Sequence, residues 1–234
     1  MLLFSQFSNG KDPIKRTSSF IRRQGRATAG QAHVLETKWD DYCLDPEKKY
    51  DYSQVFGREA PLIVEIGFGN GSSLADMAEA NPDLNYLGIE VHRPGVGHLM
   101  LLLEQKGLTN VRIYHHDAIE ILEQKIPDNS LAGIHLFFPD PWHKRKHHKR
   151  RIVRPSFVKL IAQKIKPEGY FHAATDWQHY AVHILKILAV AEHFVNTSAS
   201  QDYCTRPDYR PLTKFEQRGL RLGHGVWDLI FKRL

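Results

Sequence analysis

The chain has 234 residues, 42% hydrophobic and 25% charged, the make-up of a globular protein long enough for a sizeable core. No apolar run approaches the roughly 18 to 20 residues that cross a bilayer, and the opening MLLFSQFSNGKDPIKR lacks a secretory apolar core or small-residue cleavage site, so a cytosolic protein with no membrane partner is expected. Lys and Arg outnumber Asp and Glu by 32 to 26, and the excess is concentrated: HKRKHHKRRIVR (143–154) carries seven Lys or Arg and RRQGR (22–26) carries three, local patches suited to phosphate.

Residues 1–58 show little periodicity and predict a basic, extended arm holding Arg22, Arg23 and Arg26, followed by the polar, aromatic segment KWDDYCLDPEKKYDYSQVF. The arm orders on a polyanion or is a terminus without a role. From residue 59 the texture changes, and 59–234 reads as one domain. PLIVEIG (61–67), LNYLGIEV (84–91), VRIYHHD (111–117), LAGIHLFF (131–138) and GYFHAATD (169–176) predict five strands. Segments 72–80, 94–106, 118–124, 153–166 and 177–192 predict helices, and HFVNTS with VWDLIFKR predicts a closing antiparallel hairpin. Helices alternating with continuously apolar strands indicate an α/β fold with a mostly parallel sheet covered on both faces. Cys43 and Cys204 stand far apart without ligand spacing, and His143, His147 and His148 have no acid at metal spacing, so neither a disulfide nor a metal is expected.

In such sheets ligands bind beyond the carboxyl ends of the strands. Those ends are acidic: EIGFGNG gives Glu65 with Gly67, Gly69 and Gly71, and the next four strands end in Glu90, Asp117, Asp140 and Asp176. Glycines let a backbone turn tightly and approach a ligand, and Glu90 stands where a carboxylate binds ribose hydroxyls. A dinucleotide pyrophosphate would be repelled by this rim, and the Gly-x-Gly-x-Gly spacing is not that of dinucleotide folds. S-adenosylmethionine, with an ammonium, a sulfonium and no phosphate, suits it better. Asp117 either orders the adenine end of that ligand or caps the helix beginning at AIEIL.

VEIGFGNG, GIEVHRPGV, FPDPWHKRKHHKRR, TDWQHYA and RPLTKFEQRG closely resemble the bacterial tRNA (guanine-N7-)-methyltransferases, as do FIRRQGRATAGQ and GHGVWDLIFKR. The resemblance implies a class I, Rossmann-like methyltransferase that transfers the methyl group of S-adenosylmethionine to N7 of the guanine at position 46 of the tRNA variable loop. It implies cofactor contacts from Glu65, Glu90, Asp117 and Asp140, with Asp140 also catalytic. Lys144, Asp176 and Thr213, Lys214, Phe215 and Glu216 would meet the substrate, and Lys146, His147, His148, Lys149, Arg150 and Arg151 would contact RNA. No obligatory protein partner is expected, as monomer or homodimer.

Guanine N7 carries a lone pair and no proton, so no general base is needed. A carboxylate near the line of attack stabilises a purine becoming cationic, the role expected of Asp140. Asp176 or Glu216 is the candidate acceptor for guanine N1 and N2 hydrogens. Trp142 either stacks on the target base or is a packed loop aromatic. The rival readings are methyl transfer to another substrate and a non-catalytic RNA-binding protein on the same scaffold.

Overall fold

The computed structural model describes residues 25–213, 216–217, 221, 223 and 225–234; the expectations placed on Arg22, Arg23, Lys214 and Phe215 fall outside that set. The strands are β1 (Leu62–Ile66), β2 (Asn85–Ile89), β3 (Val111–Tyr114), β4 (Leu131–Phe137), β5 (Ile165–Thr175), β6 (Phe194–Asn196) and β7 (Trp227–Arg233). They form one seven-stranded sheet in the order β3-β2-β1-β4-β5-β7-β6. The first five pair in parallel, and β7 runs antiparallel to both β5 and β6. Strand order reverses direction between β1 and β4, which opens a crevice at their carboxyl ends.

Helices α1 (Ala29–Thr37), α2 (Trp39–Tyr42), α3 (Tyr52–Phe56), α4 (Ser72–Ala80), α5 (Arg93–Lys106), α6 (Ala118–Gln124), α7 (Pro155–Lys164) and α8 (Gln178–Leu188) cover the sheet. Side chains alternate across a strand, and β1 shows how the apolar run serves both faces. Leu62, Val64 and Ile66 join Ile121 of α6, Ile161 of α7 and Ile184 of α8 in one core. Ile63 joins Leu35 of α1, Leu74 of α4 and Leu99 of α5 in the other. The expected α/β fold with helices on both faces is therefore found.

Three details differ from the sequence expectation. Residues 29–37 are not extended: they form α1, opened by a capping box in which the Thr28 side chain accepts from the Gln31 amide at 3.3 Å and the Gln31 side chain accepts from the Thr28 amide at 2.8 Å. The α1 pattern is weakly amphipathic, so periodicity did not reveal it, yet its Val34 and Leu35 are buried. Helix α7 stops at Lys164 because Pro167 disfavours helical geometry at the residue before it, and β5 begins at once. The closing antiparallel pair is present but is not a tight hairpin, since residues 197–226 separate β6 from β7.

Candidate active site

A cavity of about 460 Å³ lies at the carboxyl ends of β1 to β4, with walls that include Gly67, Gly69, Glu90, Asp117, Phe138 and Asp140. Gly67 and Gly69 have φ of 70° and 62°, in the left-handed region that L side chains avoid. A Cβ on either would meet no atom within 4 Å, so this backbone faces open space that a ligand can occupy. Gly71, also left-handed, is the N-cap of α4 and is not among the cavity walls.

Glu90 holds the loop. One carboxylate oxygen accepts from the Gly69 amide at 2.9 Å, and the other from the amides of Val91 and His92 at 2.6 and 2.9 Å. The acid expected to bind ribose thus clamps the glycine turn to the end of β2. Asp117 lines the cavity and caps α6, accepting from the Ile119 amide at 2.8 Å.

Glu65 is 2% exposed, and one of its carboxyl oxygens is buried without a hydrogen-bond partner. Burial, reinforced by the neighbouring Glu90 charge, pushes its carboxyl up to about 8 from the ordinary 4.5. Glu65 directly precedes Ile66 and Gly67 of the cavity wall and is not itself among the walls. An S-adenosylmethionine site is consistent with these features: bare backbone to approach, carboxylates for hydroxyls and an amine, and no buried cation to repel a sulfonium among the residues that line the cavity.

Asp140 lies exposed in the cavity wall, between Pro139 and Pro141. The turn is fixed from both sides. Phe138, with φ of 50°, donates its amide to Ala174 of β5 at 2.8 Å, and the Pro141 carbonyl accepts from Arg151 Nε at 2.9 Å. Arg151 is 2% exposed, lies over the Tyr180 ring and reaches His179 Nδ1 at 3.2 Å. The expectation of an RNA contact at Arg151 is corrected: its guanidinium is enclosed and supports the Asp140 turn. Asp176 follows β5 and is exposed; it is not among the cavity walls.

The rest of the basic run lies nearer the surface. Residues Arg145–Arg150 form a 3-10 helix preceded by exposed Lys144, with Lys146 and Lys149 exposed and His147 and His148 half-buried. Trp142 is covered: the Arg150 guanidinium sits 4.1 Å from its ring centre and His147 packs edge-on. Trp142 is thus a half-buried loop aromatic in this arrangement.

Glu216 departs from its expected role. It is 6% exposed, and both carboxylate oxygens accept from Arg210 at 2.7 Å. The carboxylate is engaged inside the protein and is not open to a guanine edge. Thr213 helps fold this segment, its hydroxyl accepting from the Glu216 amide at 3.1 Å. Arg210 also grips Asp228 of β7, through Nε to Oδ1 at 2.7 Å and Nη2 to Oδ2 at 2.9 Å. Burial would raise the Asp228 carboxyl, but the hydrogen bonds from His172 and Arg210 outweigh it and hold it below the usual range. Nothing in the spacing of Arg210, Glu216 and Asp228 announces this cluster, which only the fold brings together.

Comparison with known proteins places this geometry. The sequence model of a family described as a putative methyltransferase matches residues 59–229. The tRNA (guanine-N(7)-)-methyltransferase of Hydrogenovibrio crunogenus is 57% identical, over 94% of this chain and 92% of that protein. The enzyme of that name from Klebsiella pneumoniae is 53% identical over 98% and 96%. Among solved structures, the 16S rRNA methyltransferase KamB superposes with a TM-score of 0.55 at 15% identity, covering 80% of this chain and 94% of that one. The aminoglycoside resistance methyltransferase NpmB1 gives 0.54 at 13% identity, over 82% and 94%. These two show a shared fold, and the close sequence relatives show the family: the chain belongs to the tRNA (guanine-N(7)-)-methyltransferases.

Proposed function

We propose that the protein transfers the methyl group of S-adenosylmethionine to N7 of a guanine in tRNA, that of position 46 in the variable loop, and does so in the cytosol without an obligatory protein partner. The observation that carries the reading is the juxtaposition at the end of β4. Asp140 opens into the acidic cavity, and four residues later an exposed basic segment begins. The acid suits a cationic donor and a base becoming cationic; the cations suit a polyanionic strand.

S-adenosylmethionine supplies an activated methyl group on a sulfonium. The remaining work falls to the protein. Gly67 and Gly69 give backbone access, Glu90 and Asp117 hold the nucleoside end, and Glu65 offers a buried carboxyl to positive charge. Asp140 stabilises the charge that grows on guanine as N7 is alkylated, and no side chain has to remove a proton from N7 beforehand. With Glu216 engaged by Arg210, Asp176 is the carboxylate we assign to the guanine N1 and N2 hydrogens. Lys144, Lys146, His147, His148, Lys149 and Arg150 hold the RNA backbone.

Incubation of the purified protein with methyl-labelled S-adenosylmethionine and unmodified tRNA transcripts, followed by nucleoside mapping, tests the proposal. The expected product is 7-methylguanosine at position 46. Label on adenine, on protein or on no RNA would refute it.

A further inference from the structure

We infer that Arg210 is a positioning residue for methyl transfer, fixing Glu216 to β7 and to the aromatic wall of the cavity that ends in the Asp140 turn. The inference rests on the function proposed above. Arg210 is 1% exposed, among the largest fully buried side chains, and is spent on four charge-assisted hydrogen bonds to two carboxylates. One edge of the guanidinium grips Glu216 bidentately and the other grips Asp228 in β7. Its charge also lies 5.6 Å from the Phe138 ring centre and 6.0 Å from that of Phe137. Both rings line the cavity, and Phe138 precedes Asp140 by two residues in a left-handed backbone conformation.

The anchor is itself braced. Asp228 Oδ1 accepts from His172 Nε2 at 2.8 Å, which leaves His172 Nδ1 to accept from the Tyr209 hydroxyl at 2.9 Å. Tyr209 immediately precedes Arg210, so the chain entering the segment is fastened to β5 by one residue and to β7 by the next. Burial of this many polar groups is costly unless every partner is met, and an apolar core would hold β7 equally well. What the cluster adds is a fixed distance between the segment carrying Glu216 and the turn carrying Asp140. A lysine cannot reproduce it: an ammonium is a point charge and cannot fork onto two carboxylates as a guanidinium does.

The test uses the full chain as wild type, Arg210→Lys, Arg210→Ala and Glu216→Gln, with kcat and KM on unmodified tRNA, calorimetric affinity for S-adenosylmethionine and melting temperature measured for each. Arg210→Lys keeps the positive charge beside the phenylalanines. It should lower kcat/KM for tRNA by about tenfold or more while cofactor affinity stays within about threefold. Glu216→Gln should shift the same ratio in the same direction by less. Should Arg210→Ala fail to fold, these two conservative variants carry the test. A wild-type kcat/KM in Arg210→Lys overturns the inference, as does a loss that tracks cofactor affinity and melting temperature. A wild type that leaves tRNA unmethylated overturns the functional reading and the inference with it, whereas an active wild type beside an unaffected Arg210→Lys overturns the inference alone.

Discussion

A Cβ on Gly95 would stand 2.0 Å from the carbonyl oxygen of Gly69. The first turn of α5 and the glycine loop after β1 therefore touch through bare backbone, and Glu90 ties the same loop from its other side. Gly95→Ala cannot be accommodated by a side-chain rotation, because the obstacle is main chain. It should displace Gly69, cost about 1 to 3 kcal/mol of stability and weaken cofactor binding about tenfold. Denaturant unfolding and calorimetric titration with S-adenosylmethionine would measure both, and an unaltered affinity would disconnect this loop from the cofactor.

Asp140 is held in place by contacts from Phe138 and Pro141 rather than by its own carboxylate, so its removal should leave the turn standing. Asp140→Ala is expected to lower kcat by about a hundredfold or more with tRNA affinity nearly unchanged. Parallel filter-binding and single-turnover assays distinguish the two effects. If binding and turnover fell together, Asp140 would be a structural residue.

The basic segment should divide in two under mutation. Neutralising exposed Lys146 and Lys149 should weaken tRNA binding and flatten its dependence on log salt by about 0.7 to 0.9 for each phosphate no longer neutralised. Arg151→Ala should instead lower stability and turnover, because the Pro141 carbonyl loses its donor while exposed Lys146 and Lys149 remain. A salt slope that fell as much for Arg151 as for Lys146 would return Arg151 to the RNA surface.

Glu65 should make stability fall with rising pH. Its carboxyl keeps a proton in the folded protein up to about 8 but loses it near 4.5 when unfolded, so the folded state binds more protons between those values. Stability then decreases through that window by as much as about 1.4 kcal/mol per pH unit and levels off above it, the reverse of a salt-bridged carboxylate. Glu65→Gln should remove this slope and be the more stable form at pH 8. At pH 7, binding of a cationic cofactor should release a proton from wild type and none from Glu65→Gln, as calorimetry in buffers of different ionisation enthalpy would reveal. Equal proton release by both would sink the assignment.

The sheet was legible, and with it the places of Glu90, Asp117 and Asp140 at the cavity, because both depend on local rules. Continuous apolar runs make buried parallel strands, and the first residues past each run stand at the ligand end. Periodicity does not announce helix α1 because its apolar residues are not gathered on one face; the Thr28-x-x-Gln31 capping signature is the available signal. Arg151 and Glu216 were misplaced for a different reason. A charged residue in a polar motif reads as exposed, and only the fold shows that the Pro141 carbonyl and Arg210 await them inside.

The antiparallel register of β7 on β5 has a practical corollary. Trp227 pairs with Thr175 at the ligand end of β5, and Lys232 pairs with Tyr170 toward the opposite end of the sheet. Leu234, one residue past β7 and 60% exposed, therefore points away from the cavity and the basic segment. Tethering the enzyme to a bead or sensor surface through that residue would leave the cavity and the exposed basic segment turned toward the solution.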